Sequence, residues 1–388
     1  MRIAIFTNNY LPNPFGVSMS IESFRREFEK LGHTVYIFAP EFKGYVDENK
    51  NVFRYPALDL KFKNIRFPIA ISYSYRIDRI LSKLEIDVIH SQHPNLLGWQ
   101  AKRWAKKKNV PLVFTWHTLY DQYAHFAPLV PRRLAAWWTI KNAVGYANVS
   151  DQIITPTPSV TEIIRSWGVK NKKIESIPSG VEESEFENAE GIEIRKKLEI
   201  ASDETVLFFI GRITAEKNLT FLMNAVAKVL LKNKKVKFLV CGGGDYISVM
   251  QKIALENGVS DQVIFTGLIA NNDRKNYFAA ADIFVHASKS ETQGMILTEA
   301  MYMGVPIVAV SATGVKDLIT NQINGLLVKE NEVDFANAVE RLINDNDIRR
   351  KFSENAKKIA KENYTASICA KKMLEVYQKT IEQKNDSR

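Results

Sequence analysis

The chain of 388 residues has only two cysteines and no apolar run long enough to span a membrane. Cys241 and Cys369 lie far apart and match no metal-ligand spacing, so a disulfide framework is excluded and a reduced, cytoplasmic protein is expected. A spanning helix needs about 18 consecutive apolar residues, and no stretch approaches that length. The N-terminus, MRIAIFTNNY, is a short apolar strand followed by polar residues, so a signal peptide is not expected.

Two segments fall short of the ligand motifs that they suggest. CGGGD, residues 241–245, follows a strand but has neither the last glycine of GxGxxG nor the Lys-Ser/Thr of a P-loop, so it predicts a tight turn. Asp345-Asn346-Asp347 has the D-x-D spacing of metal-dependent transferases. It lies between two helical stretches, where Asp and Asn act as turn and N-cap residues. No metal site is therefore predicted.

Composition and charge indicate a folded protein with an anionic partner. Hydrophobic residues make up 46% of the chain and charged residues 25%, and the length suits two domains. The net charge of +10 is uneven: residues 1–178 hold 25 Lys and Arg against 14 Asp and Glu, whereas the remainder is close to neutral. Such asymmetry favours a membrane surface, a nucleic acid or an acidic substrate. No nucleic-acid-binding module is recognisable, so nucleic acid is not expected as a partner.

Apolar strand-like runs alternate with amphipathic stretches along the whole chain, which predicts an α/β protein with two parallel sheets of βα units. The strand-like runs are residues 2–7, 34–40, 87–92, 111–117, 152–158, 205–212, 237–244, 262–267, 282–288 and 306–311. A helix is predicted over 18–31 and another from Ala366 to about Gln383. The segment 178–203, rich in Pro, Gly, Ser and acidic residues, predicts the domain boundary. Parallel sheets bind ligands at the carboxyl ends of their strands.

The segment FVHASKSETQGMILTEAMYMGVP is the most informative stretch. It ends a strand in a polar turn and then opens a helix, with Glu291 before the helix and Glu299 inside it. Gly294, Met295 and Ile296 would present backbone N–H groups at the helix N-terminus, where a phosphate is attracted. The spacing alone is equally consistent with an acidic capping turn before an amphipathic helix.

Two further strand-to-helix loops carry phosphate-binding residue types. Arg212 and Lys217, in GRITAEKN, follow an apolar strand and would suit a pyrophosphate, although composition alone favours a surface turn with ordinary cations. The loop NNYLPNPFG after the first strand ends at Gly16, whose lack of a side chain permits close approach to a phosphate. A plain connection is at least as consistent with that loop.

The pattern E-x-x-G-x-x-x-x-E followed by A-M-x-x-G-x-P, together with G-R-x-x-x-E-K-N, resembles the signature of the retaining family-4 glycosyltransferases of GT-B architecture. The resemblance implies two Rossmann-like domains that face each other across a cleft. Residues 1–178 would form the acceptor domain, 203–365 would bind a nucleotide sugar, and 366–388 would cross back to the first domain. Transfer would proceed by same-face attack and would require no cofactor or metal, with Mg²⁺ nonessential.

The same resemblance assigns roles to individual residues. Arg212 and Lys217 would bind the diphosphate, Glu291 the sugar hydroxyls and Glu299 the ribose. The backbone N–H groups of residues 294–296 would also meet the diphosphate, and Gly16 would close on it from the other domain. A histidine after the fourth predicted strand lies beside the transferred sugar in this family, and His117 occupies that position.

The segment HTLYDQYAHF resembles the bacterial diacylglycerol glucosyltransferases more particularly, through His117, Tyr120, Tyr123 and His125. Phe126 stands where relatives often have tyrosine. Clusters of cations with aromatic residues would suit an interfacial membrane contact, although each alone fits a solvated helix face with buried aromatics. These clusters comprise Lys61, Lys63 and Arg66; Trp104 with Lys106, Lys107 and Lys108; and Arg132 and Arg133 with Trp137 and Trp138.

The resulting hypothesis is a transferase that moves glucose from UDP-glucose to 1,2-diacylglycerol, peripheral on the cytoplasmic face of the membrane. Within the enzyme class, the alternatives are a phosphatidylinositol mannosyltransferase and a transferase with a soluble acceptor. Outside that class, the fold could serve a nucleotide-sugar epimerase or a non-catalytic sugar-nucleotide-binding protein. Intact glutamate and cation sets argue against the non-catalytic alternative.

Overall fold

The computed structural model describes residues 1–13, 16–62, 65–119 and 132–386, and the chain divides into two compact units. The first unit consists of Met1–Gly180 together with Ala366–Arg388, and the second is Val181–Thr365. Residues 181–202, which the sequence pattern treats as a boundary segment, therefore belong to the second unit.

The first unit is built on a parallel sheet with a separate hairpin. Its strands are β1 (Arg2–Phe6), β2 (Thr34–Pro40), β3 (Val52–Tyr55), β4 (Ala57–Phe62), β5 (Ile65–Ala70), β6 (Val88–Ser91), β7 (Leu112–Thr115), β8 (Gln152–Thr155) and β9 (Ile174–Ser176). Its first helices are α1 (Gly16–Lys30), α2 (Tyr75–Lys83), α3 (Leu97–Lys108), α4 (Arg132–Val149) and α5 (Pro158–Ser166). Seven strands pair in the order β3-β2-β1-β6-β7-β8-β9, and β4 and β5 form an antiparallel pair.

The second unit repeats this plan with six parallel strands. Its strands are β10 (Thr205–Ile210), β11 (Val236–Cys241), β12 (Val263–Gly267), β13 (Ile283–His286), β14 (Ile307–Val310) and β15 (Gly325–Val328), in the order β12-β11-β10-β13-β14-β15. Its helices are α6 (Gly191–Lys197), α7 (Leu219–Lys232), α8 (Ile247–Glu256), α9 (Arg274–Ala280), α10 (Met295–Tyr302), α11 (Val315–Leu318), α12 (Glu332–Asn344) and α13 (Asn346–Asn363).

Both sheets are covered on two faces, which is why their strands are continuous apolar runs. In β10, Leu207 and Phe209 join one buried cluster, whereas Val206 and Phe208 join the other. The period of two follows from the alternation of side chains along a strand. The two Rossmann-like sheets confirm the predicted α/β class.

The last helix, α14 (Ala366–Asp386), returns to the first unit, as predicted. Met373 and Tyr377 are buried, and the Tyr377 ring lies 5.8 Å from that of Phe28 on α1. The Tyr377 hydroxyl and His90 Nδ1 are hydrogen-bonded at 2.5 Å, while His90 Nε2 lies 2.7 Å from Thr115 Oγ1. The helix is therefore tied to two neighbouring strands.

Two smaller expectations also have structural outcomes. Asp345 caps α13, since its carboxylate accepts a hydrogen bond from the Ile348 N–H at 2.9 Å, and the D-x-D spacing is accounted for by capping. Cys241 and Cys369 are buried free thiols. Among the helices of the described residues, none combines the length and apolarity needed to cross a bilayer.

Candidate active site

Strands β10 and β13 are neighbours at the centre of the second sheet, where the strand order reverses. Because both strands are parallel, the loops that follow them begin at the same edge of the sheet. In open α/β sheets this switch point is where ligands bind. The loop after β10 carries Arg212 and Lys217, and the loop after β13 carries Glu291 and Gly294.

A close ion pair joins the two loops. Lys217 Nζ lies 2.6 Å from Glu291 Oε1, and the two side chains are only 15% and 16% exposed. Burial opposes ionisation of Glu291, but the charge and hydrogen bond of Lys217, together with smaller contributions from His286 and Ser288, outweigh it and lower the pKa of that carboxyl to about 2. Asn218 adds a second connection, because its Nδ2 donates to the Ala287 carbonyl at 3.3 Å. Glu291 is therefore an ionised hydrogen-bond acceptor at neutral pH.

Helix α10 begins directly after this pair. Gly294 is its N-cap and has φ 79°, a left-handed conformation that favours glycine. The first N–H groups of an α-helix have no acceptor within the helix, so Met295 and Ile296 present donors at the positive end of the helix dipole. Gly314, after β14, supports the turn, since a Cβ there would lie 2.7 Å from the Glu291 carbonyl oxygen. The requirement for glycine at 314 was missed in the sequence.

Glu299 lies inside α10 and is buried. Burial raises the pKa of its carboxyl to about 7, although Arg274 lies 3.2 Å from Oε1 and favours the charged form. Arg274 also pairs with Glu185 at 2.9 Å. Among the described residues, Oε2 of Glu299 has no hydrogen-bond partner. Arg274 and Glu185 were missed because both lie outside any phosphate-binding motif.

Arg212 is more accessible than Lys217. Its side chain is 45% exposed, and Nη2 lies 3.3 Å from Glu216 Oε1. The CGGGD turn supports this loop through backbone contact: a Cβ at Gly242 would lie 1.9 Å from the Gly211 carbonyl oxygen. This glycine-rich turn therefore has a packing role, which agrees with the tight turn that the sequence predicts.

His286, the last residue of β13, is a buried neighbour of the pair that sequence reasoning missed. Its Nε2 lies 3.8 Å from Glu291 Oε1, and its ring is 3% exposed. Burial lowers the pKa of the imidazole to about 4. The signal was available in the sequence, since His286 ends an apolar strand only five residues before Glu291.

In the first unit, His117 lies two residues beyond the end of β7 and is half-buried. Its Nε2 is 2.6 Å from Gln92 Oε1, and both residues line a pocket with Ser179. Burial lowers the pKa of His117 to about 3, so its ring is neutral. Gln92 was missed in the sequence. Gly16 is the first residue of α1.

The proposed acceptor segment is only partly covered. Tyr120, Tyr123, His125 and Lys63 lie outside the described residues. Lys61 and Arg66 are opposite each other in the β4–β5 pair.

Helix α4 presents a cationic and aromatic surface among the described residues of the first unit. It begins at Arg132, and Arg133 is exposed. Trp137 and Trp138 are each 57% exposed, and Lys141 Nζ lies 4.7 Å from the centre of the Trp137 ring. Trp104 on α3, by contrast, is 1% exposed because its side chain packs in the hydrophobic core of the first unit. The suggestion that Trp104 contributes to a membrane contact is therefore wrong.

Comparison with known proteins gives matches over nearly the whole chain. The model of Glycosyltransferase Family 4 matches residues 15–185, and that of Glycosyl transferases group 1 matches residues 191–359. An alpha-monoglucosyldiacylglycerol synthase of Streptococcus pneumoniae is 34% identical over 94% of this chain and 83% of the relative. The enzyme of the same name from Acholeplasma laidlawii is 28% identical over 99% of this chain and 98% of its own.

Solved structures agree on the fold. Anabaena Alr3699/HepE, solved in complex with UDP and glucose, has a TM-score of 0.77 and 18% identity, covering 98% of this chain and 100% of its own. Sucrose-phosphate synthase from Thermosynechococcus elongatus has a TM-score of 0.80 and 18% identity, covering 98% and 99%. At this identity, the likeness establishes architecture only.

Proposed function

Because this chain belongs to the family-4 glycosyltransferases of GT-B fold, we propose that it moves glucose from UDP-glucose onto 1,2-diacylglycerol with retention of anomeric configuration. Two relatives that align with most of the chain are alpha-monoglucosyldiacylglycerol synthases, and their name supports a glucosyl-diacylglycerol product. The product would be a glycolipid.

The observation that carries the donor assignment is the Lys217–Glu291 pair beside the N-terminus of α10. A nucleoside diphosphate sugar needs cations and N–H donors for its phosphates and a carboxylate for its hydroxyls. Lys217 and Arg212 supply the cations, and the first turn of α10 supplies the N–H donors. Glu299, with an unpartnered oxygen among the described residues, would accept a hydrogen bond from a ribose hydroxyl.

The charges of the site favour same-face transfer. Glu291 remains ionised because its pKa is about 2, so it is a poor general base and a good acceptor for sugar hydroxyls. Cations and N–H groups around the leaving diphosphate would stabilise the charge that develops there. That phosphate would take the acceptor proton. The neutral His117 ring would orient the sugar through hydrogen bonds.

The exposed face of α4 supports access to a lipid acceptor. Leu134, Trp137, Trp138 and Lys141 follow a spacing of three, one and three residues, which places them on one side of a helix. Leu134 is 58% exposed and both tryptophans are 57% exposed. Aromatic residues bind at the boundary between headgroups and acyl chains. Each cation near an anionic membrane surface contributes about 1 kcal/mol to the binding free energy. The protein would bind peripherally to the cytoplasmic leaflet.

A matrix of radiolabelled nucleotide sugars against vesicle-borne acceptors tests this proposal. We expect transfer from UDP-glucose to diacylglycerol, and loss of transfer in Lys217→Ala and Glu291→Ala. Lys232→Ala is the matched control, since Lys232 ends α7 and pairs with Glu340 on the surface at 2.8 Å.

Other results in the matrix would identify the alternatives. Three outcomes would each identify a different activity from the one proposed. They are transfer from GDP-mannose to phosphatidylinositol, transfer to a soluble sugar, and epimerisation of the donor without an acceptor. Donor binding without any turnover would indicate a non-catalytic binding protein. Unchanged transfer in both site variants would refute the site assignment.

A further inference from the structure

His286 is a buried polar side chain without a hydrogen-bond partner. It is 2% exposed, and neither Nδ1 nor Nε2 has a partner among the described residues. Its ring stacks on that of Phe284, with centroids 6.3 Å apart and planes 19° apart. Buried polar groups are nearly always hydrogen-bonded, since an unmade bond is costly. An unpaired imidazole at a strand end beside Glu291 therefore requires an explanation.

The geometry points to a bond that forms in another state of the site. His286 Nε2 lies 3.8 Å from Glu291 Oε1, which is too long for a hydrogen bond. Lys217 Nζ holds the same oxygen at 2.6 Å. A shift of about 1 Å in the carboxylate would bring Nε2 within hydrogen-bond distance. Lysine holds this oxygen here, and the histidine nitrogen lies just beyond bonding distance of it.

A diphosphate would change that balance. Lys217 would then have two anions within reach, and a phosphate competes strongly for a lysine ammonium. As Lys217 turns to the phosphate, Glu291 loses its neutralising partner inside a buried site. A buried carboxylate without a partner is strongly disfavoured. The neutral imidazole carries one N–H, because burial keeps its pKa near 4, and this N–H can replace the lost contact.

We propose that His286 is a positioning residue that takes over Glu291 from Lys217 when a nucleoside diphosphate sugar binds, with Nε2–H donating to Oε1. This rests on the proposed function, since it requires a diphosphate at Lys217. The exchange would keep the Glu291 carboxylate directed at the sugar hydroxyls while Lys217 neutralises the phosphates. No proton changes its owner, so the site needs no external acid or base for this step.

Three substitutions separate positioning from packing. In His286→Gln the side-chain amide nitrogen can occupy the place of Nε2 and keep the donor. His286→Asn is the matched control, because its shorter amide falls near the place of Nδ1. His286→Leu removes both nitrogens and keeps an apolar volume. Circular dichroism melts of each variant report whether it folds.

The kinetic expectation is a change in KM for the donor. We expect KM for UDP-glucose to rise about tenfold in His286→Leu and His286→Asn, the loss typical of one charge-assisted hydrogen bond. His286→Gln should stay within about threefold of wild type, and kcat should change less than KM in all three. Equal KM values in folded Leu, Asn and wild-type proteins would overturn the inference.

Nitrogen-15 NMR of labelled histidine gives a readout that a merely structural role would not move. Of the six histidines in the chain, the signal of His286 is identified by its loss in His286→Gln. Its Nε2–H proton should move downfield when UDP-glucose binds, and it should already be shifted in Lys217→Ala without donor. Calorimetric heat from UDP-glucose with no such shift would refute the exchange and leave the proposed function intact. Absence of heat would remove the diphosphate and overturn both.

Discussion

Replacement of Lys217 by methionine should destabilise the second unit far more than replacement of a surface lysine. Glu291 is 16% exposed and depends on Lys217 at 2.6 Å for its charge. Removal of one partner of a buried pair leaves an uncompensated charge and costs about 3 kcal/mol in the free energy of unfolding. Lys232→Met, which breaks a surface pair with Glu340, should cost about 1 kcal/mol or less.

The double variant Lys217→Met/Glu291→Gln completes the cycle. Because neither charge then remains buried alone, its cost should be smaller than the sum of the two single variants by about 2 kcal/mol. Urea unfolding followed by far-UV circular dichroism measures the free energy of unfolding of the two single variants and of the double variant. Tryptophan fluorescence cannot replace it, since the six tryptophans lie before residue 181 and report only on the first unit. Additive costs within error would refute the coupling.

The pH dependence of this effect has a definite sign. The folded-state pKa of Glu291 is lowered to about 2, below its ordinary value of about 4.3 in an unfolded chain. Its contribution to stability is therefore fully present above about pH 5 and is lost as the pH falls towards 2. The difference between wild type and Lys217→Met should narrow over that window.

Three further outcomes are expected. Burial raises the pKa of Glu299 to about 7, above its value in the unfolded chain. This carboxyl therefore lowers the stability of the wild type as the pH rises from about 4 to 7. Glu299→Gln should remove that decline in stability, as measured by urea unfolding at each pH. Gly294→Ala and Gly258→Ala each place a side chain at a positive φ, 79° and 65° respectively, which should lower the free energy of unfolding by about 1 kcal/mol. Only Gly294→Ala should also weaken UDP-glucose binding in calorimetry. Trp138→Ala should reduce flotation with anionic liposomes several-fold, whereas Leu255→Ala, equally an exposed apolar residue but in the second unit, should leave it unchanged.

The strands and helices that contain continuous apolar runs could be predicted from the sequence. The segment 34–40 is a strand over those same residues, and the helix predicted over 18–31 is observed as Gly16–Lys30. The strands β3, β9 and β15 were not predicted: Arg54 interrupts the apolar residues of β3, Glu175 interrupts β9, and β15 begins with a glycine. The hairpin of β4 and β5 was likewise missed, since cations interrupt its apolar residues.

The division after Gly180 falls inside the predicted boundary segment 178–203, and residues 181–202 show why composition could not place it more exactly. Their polar character suggested a connecting segment, but Val181, Phe186 and Ile194 are buried in the second core. A Cβ at Gly191 would lie 2.3 Å from the Ala279 carbonyl oxygen, so α6 packs against α9 at backbone distance. A few buried contacts attach this segment to the second unit, and the average composition of the segment does not reveal them.

The candidate site likewise contains residues that motifs could predict and residues that they could not. Sequence motifs singled out Lys217 and Glu291 for phosphate and sugar binding, and the structure brings the two side chains together as an ion pair. The motifs could not identify Arg274, which reaches Glu299 from a different helix, since that contact exists only in three dimensions. The ligand roles assigned to all the site residues remain predictions: those of Lys217, Glu291, Glu299, residues 294–296, Arg212, Gly16 and His117, and those of the residues outside the described ranges.

The most direct test of the account is NMR of the lipid product formed from UDP-glucose labelled with carbon-13 at its anomeric centre, in diacylglycerol vesicles. The account predicts a glucosyl-diacylglycerol whose labelled carbon carries the same α configuration as the donor, and no such product from Lys217→Ala. A product of β configuration would contradict same-face transfer. If the label remains in UDP-glucose or appears only in free glucose, diacylglycerol is not the acceptor.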